Sequence, residues 1–159
     1  MDVESLHDIL IILHSASATL SFFAGSFLMF SPVSIPYRRF FRLYWWALVG
    51  MVILLAGAIV IYWGQYSVTE RIIFPGLFVL GIYMLYRAQG ANRLFKSQQP
   101  GWKSVYLEHI GFTLISLFEG FVIVSGLNSG FPGWLVALFA ILGVLLGRAL
   151  IGFAQRKIE

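Results

Sequence analysis

Two ionisable residues set well inside apolar stretches, His14 and Glu119, carry the chemistry this chain could do. An imidazole and a carboxylate held in low dielectric can exchange a proton near neutral pH, so the pair could relay protons or bind a polar substrate. A structural hydrogen bond joining two helices would use the same residues, with Ser or Thr hydroxyls completing it. A second set, Arg87, Glu108, His109 and Arg148, mixes both signs of charge. Arg87 and Arg148 are long enough to reach headgroups unaided.

Intramembrane histidines also ligate haem and related pigments. Six-coordinate ligation needs two histidines at one depth on facing helices, whereas His7 and His14 lie about 10 Å apart along a single helix. A single-histidine haem or chlorophyll-type ligand at His14 or His109 stays open. The three histidines give no close i, i+4 pair, so no metal site is expected, nor any resident cofactor. There is no G-x-S-x-G elbow, P-loop or HExxH sequence, and no cysteine for thiolate chemistry. No catalytic residue is assigned, and an enzyme is not expected.

The elements that must hold these residues are apolar helices. The chain has 159 residues, 59% hydrophobic and 11% charged, too little charge to cover a soluble domain, so its solvent is lipid. Five runs of membrane-spanning length predict an all-α bundle and a single domain over residues 1–159, with helices at about residues 6–30, 41–63, 71–93, 105–127 and 134–154. Pro32 and Pro36 end the first; Tyr44, Trp45 and Trp46 open the second, and Tyr62 and Trp63 close it, as interfacial aromatics do. The small-residue ladder Ser17, Ser21 and Gly25 suits close helix packing, with Leu20, Phe23 and Phe27 turned to lipid or neighbours; Gly143 and Gly147 form a G-x-x-x-G pair. Residues 64–70 read as a connection, and residues 94–104 as the longest polar loop.

Five crossings place the termini on opposite sides. Arg38, Arg39 and Arg42 share one face with Arg93, Lys96, Lys103, Arg156 and Lys157; the other face holds Asp2, Glu4, Asp8, Glu70 and Arg71. The positive-inside rule then puts the N-terminus outside and the C-terminus in the cytoplasm. The net charge of +4 is thus explained by sidedness, and a nucleic-acid partner is not expected. His14 and Glu119 each lie about eight residues from the outer end of their helices, roughly 12 Å deep, so they are expected to meet.

The first three helices also resemble a family of uncharacterised bacterial predicted membrane proteins. In that family's pattern a helix-one histidine is followed by small residues and a glycine, then by a basic loop entering helix two. His14, Ala18 and Gly25 match the first part, Arg38 and Tyr44 the second, with Arg42 adding charge; Tyr83 and Gly90 match a later Tyr and Gly. Tyr37 stands where the family has histidine and Phe41 where it has glycine. The resemblance implies a compact bundle in the bacterial cytoplasmic membrane and no known activity. The expected role is a small non-enzymatic membrane protein, an accessory or scaffold subunit partnered by lipid and by other membrane chains or further copies of itself. The alternatives are a proton-coupled carrier or channel using His14 and Glu119, and a single-histidine haem or pigment subunit.

Overall fold

The computed structural model describes residues 2–30 and 37–156, and almost all of them are helical. Five helices follow in order: α1 (Val3–Phe30), α2 (Tyr37–Tyr62), α3 (Val68–Ser97), α4 (Trp102–Asn128) and α5 (Gly133–Arg156), with a short 3-10 turn at Trp63–Gln65 after α2. All five are long and apolar enough to cross a membrane. The loop through Pro32 and Pro36, and the tail residue Lys157, lie outside the described residues.

Each helix is longer than its apolar run, and at the starts of α1 and α3 polar residues beyond that run supply caps. Asp2 accepts a hydrogen bond from the Ser5 N–H at 2.9 Å and caps α1. The segment expected as a connection up to residue 70 instead contains a capping box. Ser67 and Glu70 exchange bonds at the start of α3: the Ser67 N–H and hydroxyl donate to the Glu70 carboxylate at 2.8 and 2.7 Å, and the Glu70 N–H donates to the Ser67 hydroxyl at 3.3 Å. Helix α3 therefore begins at Val68, about a turn before the expected start. Between α3 and α4, the Trp102 N–H donates to the Gln99 carbonyl at 2.9 Å across Pro100 and Gly101. Proline at the second position and Gly101 at φ 77° at the third are what a type II turn requires. At the end of α4, Gly130 at φ 73° and a bond from the Phe131 N–H to the Gly126 carbonyl close a Schellman cap.

The chain divides into two compact units, Met1–Tyr86 and Arg87–Glu159, with the boundary inside α3. In the first, α1 packs along α2. Ser21, Ala24, Gly25 and Leu28 of α1 are buried, as are Tyr44, Leu48, Met51, Leu55 and Ala58 of α2. The ladder of small residues on α1 thus faces a neighbour, as its spacing predicts, while Phe23 and Phe27 point outward. In the second unit α4 packs along α5, with side chains of α4 entering gaps left by glycines: Glu119 at Gly143 and Ile115 at Gly147. The G-x-x-x-G pair of α5 is therefore spent on α4, within the chain.

The distribution of polarity is that of a lipid-solvated protein. Large apolar side chains such as Trp46, Val60, Phe121, Leu146 and Phe153 are exposed, whereas Ser21, Thr113, Ser116 and Glu119 are buried. In water that arrangement would place apolar surface on the wrong side of every helix; in hydrocarbon it leaves apolar groups outside and polar ones among neighbours.

Candidate functional site

In the first unit, His14 stands half-buried on α1 with its Nδ1 2.9 Å from the Met51 carbonyl oxygen of α2. A carbonyl only accepts, so Nδ1 carries the proton, and Nε2 is left as the basic nitrogen. Such a bond also pins the ring, because rotating it away would strand the donor in an apolar seam. One helical turn on, Ser17 Oγ lies 3.7 Å from where a Cβ on Gly50 would stand. The histidine is thus a clasp between α1 and α2 with one ring nitrogen to spare.

A second histidine in this unit, His7, sits in a cluster that the sequence reading did not assemble. Its ring stacks on Tyr62 at 4.2 Å between centroids, and its Nε2 is 3.1 Å from the Tyr66 hydroxyl. That hydroxyl lies 3.4 Å from the Ala58 carbonyl, and the Tyr66 ring packs edge-on against Phe74 at 4.8 Å. The carboxylate of Asp8 is 3.7 Å from His7 Nδ1. Burial holds the Tyr66 phenol above the usual tyrosine range, and the negative charge of Glu70 and the Tyr62 phenol push the same way. The signal available in sequence was the i, i+4 spacing of Tyr62 and Tyr66 around a helix end, but nothing in it says that His7 is the ring that stacks there.

In the second unit, three of the four expected inner residues come together on α3 and α4. The Arg87 guanidinium donates to the Glu108 carbonyl at 3.2 Å, lies 3.5 Å from its carboxylate, and sits 5.1 Å from the Phe112 ring centroid. His109 Nδ1 is 3.0 Å from the Arg87 carbonyl, and its ring fills the space where a Cβ on Gly90 would stand, 2.7 Å from Cε1. By the same donor logic, His109 keeps Nε2 basic. Arg148 does not join them; it is exposed on α5 and forms no ion pair or hydrogen bond among the described residues. Arg87 and Glu108 have side chains 17% and 54% exposed, so the pair is a half-solvated ion bridge rather than a buried charge.

Glu119 is different from all of these. Its side chain points at Gly143 of α5, which the Phe118 ring also approaches. The residue is 6% exposed, and neither carboxylate oxygen has a hydrogen-bond partner among the described residues. His14 and Glu119 belong to different units: the imidazole is taken by Met51, while the carboxyl has no hydrogen-bond partner among the described residues. Chemically, the first and third clusters can hold helices together and offer a basic nitrogen. Glu119 is a buried carboxyl without a hydrogen-bond partner among the described residues. No protein family, curated protein or solved structure matches the chain.

Proposed function

We propose that this protein is a non-enzymatic subunit that assembles laterally with other chains in a bacterial cytoplasmic membrane, N-terminus outside and C-terminus in the cytoplasm. The sidedness is supported by the basic residues Arg38, Arg39, Arg42, Arg93, Lys96, Lys103 and Arg156 gathered at one set of helix ends. The bacterial membrane is supported by the resemblance of the first three helices alone.

The observation that carries the assembly reading is on α3. Gln89 is exposed there and makes no hydrogen bond among the described residues, and Tyr86, one turn earlier on the same face, is 67% exposed. For a 30-residue helix, Tyr86 and Gln89 fall about 5 and 10 Å from the midpoint, inside a hydrocarbon core about 30 Å thick. An unpaired amide facing acyl chains costs several kcal/mol, roughly the stability of a small domain, so a neighbouring helix that bonds to Gln89 relieves more than packing alone would. Residues of α3 closer to its polar end need no such partner.

The test is extraction of the full chain from its native membrane in mild detergent, with every component of the intact particle identified by mass. Partner chains are expected in defined ratio, and Gln89→Leu with Tyr86→Phe should reduce their recovery about tenfold, which corresponds to the loss of one good hydrogen bond in lipid. A bare monomer in every mild detergent would defeat the proposal.

A further inference from the structure

Glu119 lies about two thirds of the way along α4, roughly 14 Å from its end. Across the seam the carboxyl stands at the bare Cα of Gly143, which the ring of Phe118 also approaches. The other ionisable side chains of α4 and α5 are Lys103, Tyr106, Glu108, His109, Arg148 and Arg156. None of them reaches Glu119, and Arg87 of α3 is engaged by Glu108. The hydroxyls nearest in sequence on the buried side of α4 are Thr113, which donates to the Ile110 carbonyl at 2.7 Å, and Ser116.

An ionised carboxylate to which the described residues give no hydrogen-bond partner is costly in such surroundings, whereas the neutral acid differs little from any other buried hydroxyl. A proton on the carboxyl removes that cost. No group of three or more histidine, cysteine or acidic side chains that could hold a metal ion is present among the described residues. A proton needs one oxygen, and one carboxyl is what the seam offers. The glycine matters equally, because any side chain at position 143 would take the space now occupied by the carboxyl head.

We propose that Glu119 is a proton-binding site in the α4–α5 seam, occupied while the two helices are packed and emptied when they separate. Packing and proton occupancy are then one equilibrium: removing the proton places a bare charge against carbon and favours opening, and opening admits the water that can carry the proton away. This function is independent of what binds α3.

The experiment is infrared spectroscopy of the full chain reconstituted in lipid vesicles, following the carbonyl stretch of a protonated carboxylic acid at about pH 7. One such band is expected, shifting in heavy water, lost completely in Glu119→Gln and kept in Glu108→Gln. Absence of the band at that pH, or its survival undiminished in Glu119→Gln, overturns the proposal. If Glu119→Gln fails to fold, the unaltered chain is treated with dicyclohexylcarbodiimide, a lipid-soluble reagent for protonated carboxyls. The acid oxygen bonds to the central carbon, the acid proton moves to a ring-bearing nitrogen, and acyl migration leaves a stable N-acylurea carrying every atom of both reactants. A single adduct on the peptide containing Glu119 is expected; adducts confined to Glu4, Glu70 or Glu108 overturn the site.

Discussion

The α1–α2 seam and the α4–α5 seam are built from the same materials, small residues and a polar side chain set against the facing helix, yet they treat that polar group in opposite ways. On α1–α2 the imidazole of His14 finds a carbonyl at 2.9 Å, and the residues around it are in ordinary contact. On α4–α5 the carboxyl of Glu119 fills a glycine gap and finds nothing to bond among the described residues. The first seam does have its own orphan, the Ser21 hydroxyl, but a neutral hydroxyl left unpaired costs about 1–3 kcal/mol, and an unpaired buried charge costs much more. The difference separates polar groups that hold helices together from one that demands an additional ligand.

The strongest way to break this comparison is to add a methyl group at the glycine of each seam. At Gly143 the new Cβ would coincide with Glu119 Oε1, with Phe118 also pressing at 3.4 Å. Gly143→Ala should therefore destabilise the helix pair by about 2 kcal/mol in thermal unfolding in detergent. At Gly50 the nearest atom is Ser17 Oγ at 3.7 Å, an ordinary contact. Gly50→Ala should be neutral or stabilise by about 0.5–1 kcal/mol through helix propensity. Equal losses at the two positions would mean that the seams are not distinct.

Next in size are the polar groups themselves. His14→Phe keeps the ring volume and removes the donor to Met51, for an expected loss of about 1–2 kcal/mol. Glu119→Gln should change stability by less than about 0.5 kcal/mol, since a neutral amide replaces a neutral acid of nearly the same shape. A loss at Glu119→Gln as large as that at His14→Phe would show that the carboxyl is making a bond in the folded protein, and the contrast between the seams would disappear.

How much of this was readable from the residues depends on which interaction positions them. Long apolar runs with aromatic ends announce membrane helices, and the ladder Ser17, Ser21, Gly25 announces a packed face, because periodicity is a property of one helix. The setting of Glu119 was only half legible: its depth follows from counting, but its neighbour does not, since the angle at which α5 presents Gly143 is a tertiary fact. The same holds for Arg148, which shares a depth with Arg87 and Glu108 on paper and yet points outward. The start of α3 was legible and was misplaced, because Ser67-Val68-Thr69-Glu70 is a capping box and counting apolar residues overlooks it. Glu70→Ala tests that reading, with an expected cost of about 1 kcal/mol and faster amide exchange confined to the first turn of α3. Unchanged exchange there would assign the helix start to packing instead.

The smallest effect belongs to the cap of α1, where the comparison can be sharpened by pH. The Ser5 hydroxyl, and after it the Ser5 N–H, hold the Asp2 carboxyl below the usual aspartate range. A carboxyl whose folded-state value is depressed binds fewer protons in the folded helix than in the frayed one, so its contribution is present above the ordinary value of about 4 and is lost as pH falls through the lower folded value. Amide exchange in the first turn of α1 should therefore accelerate, beyond its intrinsic pH dependence, only in that acidic window. Asparagine caps as well as aspartate and does not titrate, so Asp2→Asn should hold the first turn equally at all pH values. If the acid-dependent fraying survives in Asp2→Asn, the titrating group is elsewhere on the helix. If it vanishes, α1 has an exposed carboxylate that loses its grip on gaining a proton, the reverse of Glu119, which by the proposal above keeps its helices together only while it holds one.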